Sequence, residues 1–541
     1  MVAQVSSGTH AMSIIGTEVP QSPPSRPGIG PVLSARSSRW ILALIVVALA
    51  SFPFIGARGI WEPDEGRYTA VALEMLRSRD WVHPALNHEQ PHFTKPPITY
   101  WSIAGSVALL GRSEAAVRLP SALAFGLTAF AVGAIAARIS RGRGIASTVI
   151  YATATLPFIA ANLVTTDTLL TLFVTVAVLM FVRGWRRFDA LPEAGCRRLA
   201  LIGMWGSFGI AFLTKGPPAL LMLLPIVAVV WRFDGPRHVA RLFNPFGVLT
   251  FVMVGGSWFA FVVVKDPALA TYFFQHELYG RAFTSEHHRN SEWYMAFMYP
   301  LIMLGGLLPW SLGWLSRRAR GWHRGLWSDP ARLLLALWVT LPLFVFMLVQ
   351  SRMPLYVLPL AAPLAIASAR LESLEWLTRP GSWRAILTFV LVLLSVRFGS
   401  GVITSSRDAR ALAERLAVSP DVDEIGFVDA RARYGLTLYT GIPVEQLYLS
   451  ESHLGETLEA ELVSGPHRSL ALVYRPELRG VILDIVRLGG WRVGRIDTHA
   501  DEELAYITRS DAEGSIDSTP PIDAGRSDQS GAVPSIARLP S

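Results

Sequence analysis

The 541-residue chain holds a single cysteine, Cys196, which excludes an intrachain disulfide and any thiolate metal cluster. Charge is scarce as well: Asp, Glu, Lys and Arg make up 17% of the residues, against about 25% in soluble domains. Together with 51% hydrophobic residues and a mean hydropathy of +0.38, this excludes an ordinary soluble protein. There is no basic stripe with interleaved aromatics outside the apolar runs, so the net charge of +8 does not point to nucleic acid. No internal repeat of fixed period occurs. The first apolar run, 40–56, lacks a small-residue cleavage site and is expected to remain as an anchor rather than a removed signal.

Long apolar runs are what the chain has in plenty. They lie near 40–56, 117–137, 144–163, 167–182, 199–214, 217–231, 246–264, 294–316, 333–350, 354–369 and 383–404. A hydrocarbon core of about 30 Å asks for 17–25 residues per helix. The expected fold class is therefore an α-helical polytopic membrane protein of about 11–13 transmembrane helices. Segment 98–110 is short and interrupted by Gly105, and belongs at the interface.

The connections alternate in charge. Arginines crowd one set: Arg138, Arg141 and Arg143; Arg183, Arg186 and Arg187; Arg232, Arg237 and Arg241; Arg317, Arg318 and Arg320; Arg370, Arg379 and Arg384. Short or mixed-sign links at 165–167, 214–216, 265–293 and 351–354 form the other set. The positive-inside rule makes the first set cytoplasmic and puts the charged stretch 61–101 on the far side. An odd number of spans puts the C-terminal segment there too. Residues 1–37 read as a disordered cytoplasmic tail, 38–404 as the transmembrane domain with its first outer loop at 57–116, and 511–541 as a disordered tail. Between them, 405–510 turns soluble. Helix signals at 407–417 and 476–488 alternate with strand signals at 425–428, 470–474, 491–496 and 504–508, which predicts a small α/β domain.

Ionisable groups near span ends cost less than those at mid-bilayer, and many only snorkel to the interface. Here, however, several share one side. Asp64 and Glu65 in PDE suit positioning or deprotonation of an attacking hydroxyl, although acids before the helical run 67–77 also serve its dipole. Lys95, locked before two prolines, suits an anionic head group together with Arg281 and Arg352. Asp167 and Lys215 stand at span boundaries, and Tyr356 falls in the first turn of a span begun by Pro354. His276, His287 and His288 with Glu277 and Glu286 include metal-ligand types, but without ordered spacing.

The motifs WEPDEGRYTAVALEMLRSRDWV, HFTKPPITYW, TTDTLLT, FLTKGPPAL, FFQHELYGRAF with HRNSEWYM, GGLLPW and SRMPLYVLPL occur in that order over residues 40–370. This set resembles the aminoarabinose transferases of lipid A modification and their bacterial relatives, within the dolichyl-phosphate-mannose protein mannosyltransferase superfamily. The resemblance implies a C-type glycosyltransferase fold, a catalytic first periplasmic loop and a C-terminal periplasmic domain. It implies an inverting glycosyltransferase of the bacterial inner membrane, using a sugar on undecaprenyl phosphate, with 4-amino-4-deoxy-L-arabinose and lipid A as donor sugar and acceptor. By resemblance Lys95, Arg281 and Tyr356 hold the lipid phosphate, Asp64 and Asp167 lie near sugar and acceptor, and Arg67 and Tyr68 support the loop. No cofactor is required, and His276 and Glu277 are the weak candidates for a divalent metal. A monomer is expected, in contact with membrane lipids.

The chain departs from the family at HFTKP, where Thr94 replaces a glutamate before the lysine; that weakens a carried-over metal site. Transfer of a hexose or mannose to protein or another envelope glycan is the alternative within the class. A transporter or flippase of lipid-linked sugars is the alternative outside it; such a protein should carry its polar groups near the bilayer midplane.

Overall fold

The computed structural model describes residues 35–88, 90–188, 194–280, 292–316, 322–379, 381–403, 405–450, 456–499 and 501–510. Every apolar run is helical over most of its length. The early elements are α1 (Ala35–Ser51), α2 (Asp64–Ser78), α3 (Ile98–Leu110), α4 (Glu114–Ile139), α5 (Gly144–Thr153), α6 (Thr155–Ala160), α7 (Thr166–Gly184) and α8 (Ala194–Lys215). After a 3-10 turn at Pro217–Met222 come α9 (Leu223–Asp234), α10 (Pro236–Leu242), α11 (Pro245–Gly255) and α12 (Ser257–Lys265). Helices at Pro330–Leu348, Ala361–Ala369 and Ser382–Val402 complete the bundle.

The expected 11–13 full-length spans are not all realised as single long helices. Six helices among the described residues are long and apolar enough to cross a membrane, or seven if α10 and α11, bent by 44°, count as one. The others are short or interrupted where the backbone chemistry changes. At the α10–α11 bend, Asn244 Oδ1 accepts the Gly247 N–H at 2.8 Å and Pro245 takes the first helical position, an N-terminal signal strong enough to restart a helix. Run 246–264 divides again at Gly255–Gly256. Such breaks persist in a membrane protein only where neighbouring helices cover them. Conversely, Gly105 does not interrupt α3; it lies within a continuous helix.

Helix α7, nineteen residues long, spans about 28 Å at 1.5 Å per residue. It runs between two chemically different ends. At its start lies Asp167; at its far end Trp185 Nε1 and Arg187 donate to Asp234. Arg143 pairs with Glu375, and Arg370 with Asp329, so the arginine-rich links are tied to one another. The core between α1, α4, α5, α7 and α8 is built from Phe125, Tyr151, Phe181, Trp205 and Phe208, all buried.

The C-terminal α/β domain has five strands: β1 (Glu424–Val428), β2 (Val444–Leu447), β3 (Ser469–Tyr474), β4 (Trp491–His499) and β5 (Glu502–Arg509), in the order β2-β1-β3-β5-β4. β1 is parallel to β2 and β3, whereas β5 runs antiparallel to β3 and β4. β1 is buried along its whole length, as a central parallel strand covered on both faces must be. β2 was not anticipated, because its four residues, Val444, Glu445, Gln446 and Leu447, lack a clear alternation.

This domain is fastened to the first loop. The Glu62 N–H donates to the Arg407 carbonyl at 2.8 Å, the Ala409 N–H to Ile60 at 2.9 Å, and Ile60 N–H to the Tyr439 hydroxyl at 2.9 Å. Arg410 pairs with Glu114, Asn87 Nδ2 with Glu424 at 2.9 Å, and Gln90 Nε2 with Glu445 at 2.7 Å.

Candidate active site

The first loop is organised from inside by Glu65. This carboxylate is buried and accepts from Arg58 at 2.7 and 3.0 Å and from Arg118 at 2.9 and 3.2 Å. It also accepts the backbone N–H groups of Trp61 and Val164 at 2.8 and 3.0 Å. Burial alone would raise its pKa, but Arg118 and Arg58 outweigh burial and hold it at about 2. Every lone pair of Glu65 is thus engaged by protein donors. The expectation that it joins Asp64 in the chemistry is corrected: Glu65 is a positioning residue that joins the loop to α4 and to the start of α7. Arg118, fully buried in α4, is its chief partner and was missed from sequence. A charged residue inside an apolar span was the available signal.

Asp64 is the first residue of α2, where no side chain caps the helix. Its carboxylate pairs with the Arg67 guanidinium, one helical turn on, and its side chain is 36% exposed. Tyr68 follows, with its ring 5.8 Å from Tyr100 of α3. Burial, and then the Asp64 charge, push its phenol above the ordinary range, and Asp167 and Tyr356 act on it in the same direction. Tyr68 thus lies within electrostatic reach of Asp167 at the start of α7 and of Tyr356 in the 3-10 turn Pro354–Leu360.

Asp167 sits in the first turn of α7, where Thr165 caps the helix. Lys215, the last residue of α8, reaches across to its carboxylate, and both side chains are less than 10% exposed. The same ammonium lies 4.1 Å over the Tyr356 ring, a favourable cation–π geometry. Lys215 is therefore not a solvent-seeking span end but a member of the cluster. Tyr299 borders it, near Tyr356, Arg352 and Asp167.

Lys95 Nζ donates to the Thr94 carbonyl at 2.8 Å and lies 3.6 Å from Glu277. Tyr100, buried in α3, packs its ring against Tyr68 and His92. Arg352 is buried and donates to the carbonyls of Glu292 and Met347, each at 3.1 Å, so it braces the chain at this point. Arg281 lies outside the described residues, as do Glu286, His287 and His288. The Tyr272 hydroxyl is 3.4 Å from Glu277, and its ring faces His276 at 5.8 Å. Among the described residues no third donor joins His276 and Glu277 in a metal-sized group.

Three pairs thus gather at one end of the bundle: Asp64 with Arg67, Asp167 with Lys215, and Glu277 with Lys95. Each cation is held by a carboxylate that an incoming anion can displace. The 3.6 Å Lys95–Glu277 contact is too long for a strong hydrogen bond and is the easiest to exchange. Asp64 is half-buried and paired with Arg67, whereas Glu65 is buried and fully engaged by Arg58 and Arg118.

Residues 94–261 match the family model described as dolichyl-phosphate-mannose-protein mannosyltransferase. Over 333 residues the chain is 32% identical to the undecaprenyl phosphate-alpha-4-amino-4-deoxy-L-arabinose arabinosyl transferase of Edwardsiella ictaluri, covering 61% of this chain and 58% of that relative. The chain therefore matches somewhat more than half the length of this curated relative. Its fold is similar to that of ArnT from Cupriavidus metallidurans bound to undecaprenyl phosphate, with TM-score 0.71 at 19% identity, covering 89% of this chain and all of that one. It is also similar, with TM-score 0.51 at 8% identity, to the archaeal oligosaccharyltransferase AglB from Archaeoglobus fulgidus, covering 89% of this chain and 75% of that one. The expected C-type glycosyltransferase fold is the fold found, and the resemblance read from the motifs is borne out.

Proposed function

We propose that this multi-pass membrane protein is a glycosyltransferase that moves a sugar from a polyprenyl-phosphate donor to an acceptor on the periplasmic side of the bacterial inner membrane. The best match of donor sugar and acceptor is 4-amino-4-deoxy-L-arabinose and lipid A. The observation that carries this reading is the convergence of Asp64, Arg67, Tyr68, Asp167, Lys215 and Tyr356 from four separate parts of the chain. Sidedness follows from the arginine-rich links, paired at the other end of the helices. The similarity to arabinosyl transferases supports undecaprenyl phosphate as the donor lipid.

The chemistry is a displacement at the anomeric carbon. An acceptor oxygen attacks on one face as the bond from that carbon to the phosphate oxygen breaks on the other, inverting the centre. The departing phosphate gains a negative charge, which Lys95, Arg281 and the Tyr356 hydroxyl, the positions that match the family motifs, receive. Loss of one preorganised donor of this kind typically costs about 2.7–4 kcal/mol of barrier. Asp64 orients the acceptor, and where the acceptor is a hydroxyl it also takes the proton. An ionised phosphate acceptor needs no base. Asp167, set by Lys215, faces the sugar. This division needs no metal among the residues named. The polar groups gather at one end rather than at the midplane, which favours an enzyme over a transporter.

Lipid A and the other membrane glycans of a deletion strain, compared with the parent by mass spectrometry, test the reading. Loss of a lipid A species heavier by one aminopentose is the expected result. An unchanged lipid A profile with a missing protein-linked hexose would move the acceptor to protein. Asp64→Asn and Lys95→Ala are each expected to abolish transfer while the protein stays folded in detergent. Full turnover by both variants would take the first loop out of the mechanism.

A further inference from the structure

A second cluster lies inside the α/β domain, apart from the three pairs of the transfer site. Glu424 opens β1, Glu461 lies on the helix Leu458–Ser464, and His467 precedes β3. Their ligand atoms all fall within 4.8 Å of one another. Both carboxylates are 1% exposed and the imidazole 9%. His467 Nε2 is 2.9 Å from Glu424 Oε2 and 3.8 Å from Glu461 Oε1. The other Glu424 oxygen accepts from Asn87 Nδ2 at 2.9 Å, and the His88 ring stands edge-on to His467 at 5.0 Å.

Two carboxylates buried this close repel when both are ionised, because little water screens them. A protonated imidazole offsets one carboxylate, whereas a neutral imidazole and two carboxylates together accept a 2+ charge that offsets both. A divalent cation supplies that charge, and the donor set selects among cations. Magnesium and calcium take six or more oxygens, whereas one imidazole with two carboxylates suits zinc and its neighbours. Tetrahedral zinc with bonds of about 2.0 Å separates its ligand atoms by about 3.3 Å. The two observed His467–carboxylate distances bracket that separation. Burial of this kind is also what a structural rather than a catalytic site shows.

We propose that Glu424, Glu461 and His467 hold one divalent transition-metal ion of the zinc class. The ion would set the N-terminal ends of β1 and β3, where Asn87 and His88 of the first loop dock. This inference stands independently of the sugar-transfer reading, because its readouts are metal content and stability.

The test uses the full chain, purified in detergent and stripped with a chelator. Titration with Co2+ is expected to bring in one ion per chain, with visible absorption bands of a tetrahedral site, and Zn2+ to displace it. Either metal should raise the unfolding midpoint. Glu461→Gln and His467→Gln should abolish the Co2+ bands, whereas Glu277→Gln, at the distant pair with Lys95, should retain them. Sub-stoichiometric binding with no shift in the midpoint of the wild-type chain would overturn the proposal, whether or not any variant folds. So would retention of the Co2+ spectrum by the Glu461→Gln, His467→Gln double variant.

Discussion

Two glutamates three residues apart in the first loop behave oppositely. Glu65, caged by Arg58 and Arg118, is an anion by design of its surroundings. Glu65→Gln would leave two buried guanidinium groups short of their counter-charge, at a cost of about 3–5 kcal/mol. A large fall in the unfolding midpoint in detergent is expected, and an unchanged midpoint would refute the cage. Glu62 is also buried, but its partners are weaker: the Gly435 N–H at 2.5 Å and the more distant Arg433 and Arg67. Burial wins over them and raises its pKa to about 7. A raised pKa means that the folded state holds the proton more tightly than the unfolded one. The stabilisation is therefore full below about pH 4.5 and is lost as the pH rises to about 7, a change on the order of 3 kcal/mol. Glu62→Gln should flatten this part of the stability–pH curve and stabilise the protein at pH 8; parallel curves for wild type and variant would disprove it. At the transfer site Lys215→Ala should cut turnover by about 100-fold or more in a donor-hydrolysis or transfer assay, the range for a preorganised donor. Asp64, Lys95 and Tyr356 were legible as candidates because charge and tyrosine stand out against apolar runs. The difference between Asp64 and Glu65 was not, since it depends on Arg118, distant in sequence.

The helical elements follow the apolar runs closely, and their breaks follow Pro, Gly and capping residues. Chain pattern reports where a helix is favoured, but whether two short helices form one span depends on what packs over the gap. Helix α8 illustrates the point. A Cβ on Gly255 of α11 would come within 3.1 Å of Gly209 Cα and 3.2 Å of its carbonyl oxygen. Small residues here let the two backbones approach, the usual means of helix packing where lipid removes the hydrophobic drive. Gly255→Leu should push α11 off α8 and destabilise the protein by about 1–3 kcal/mol. Because Lys215 ends α8, activity should fall with stability. An unaltered melting curve would show that the close approach carries no energy. In the α/β domain the helices read at 407–417 and 476–488 and the longer strands were readable, whereas the short helices Leu436–Thr440 and Leu458–Ser464 were not, and the four-residue β2 takes its place only through pairing with β1.

For the molecule as a whole, the α/β domain and the first loop share one side, because Ile60, Glu62, Asn87, Gln90 and Glu114 bond directly to it. Reporter fusions after Arg143 and Arg187 are expected to read cytoplasmic, and one after residue 405 periplasmic. A cytoplasmic signal at 405 would contradict the seam. Composition and periodicity by themselves determined that this chain lives in a membrane, where its helices lie and which links carry arginine, because partition into hydrocarbon is decided locally, residue by residue. Only the tertiary structure decided which charges meet. Contacts such as Asp167–Lys215 and Glu424–His467 join residues tens of positions apart, and an electrostatic contact depends on distance in space rather than along the chain.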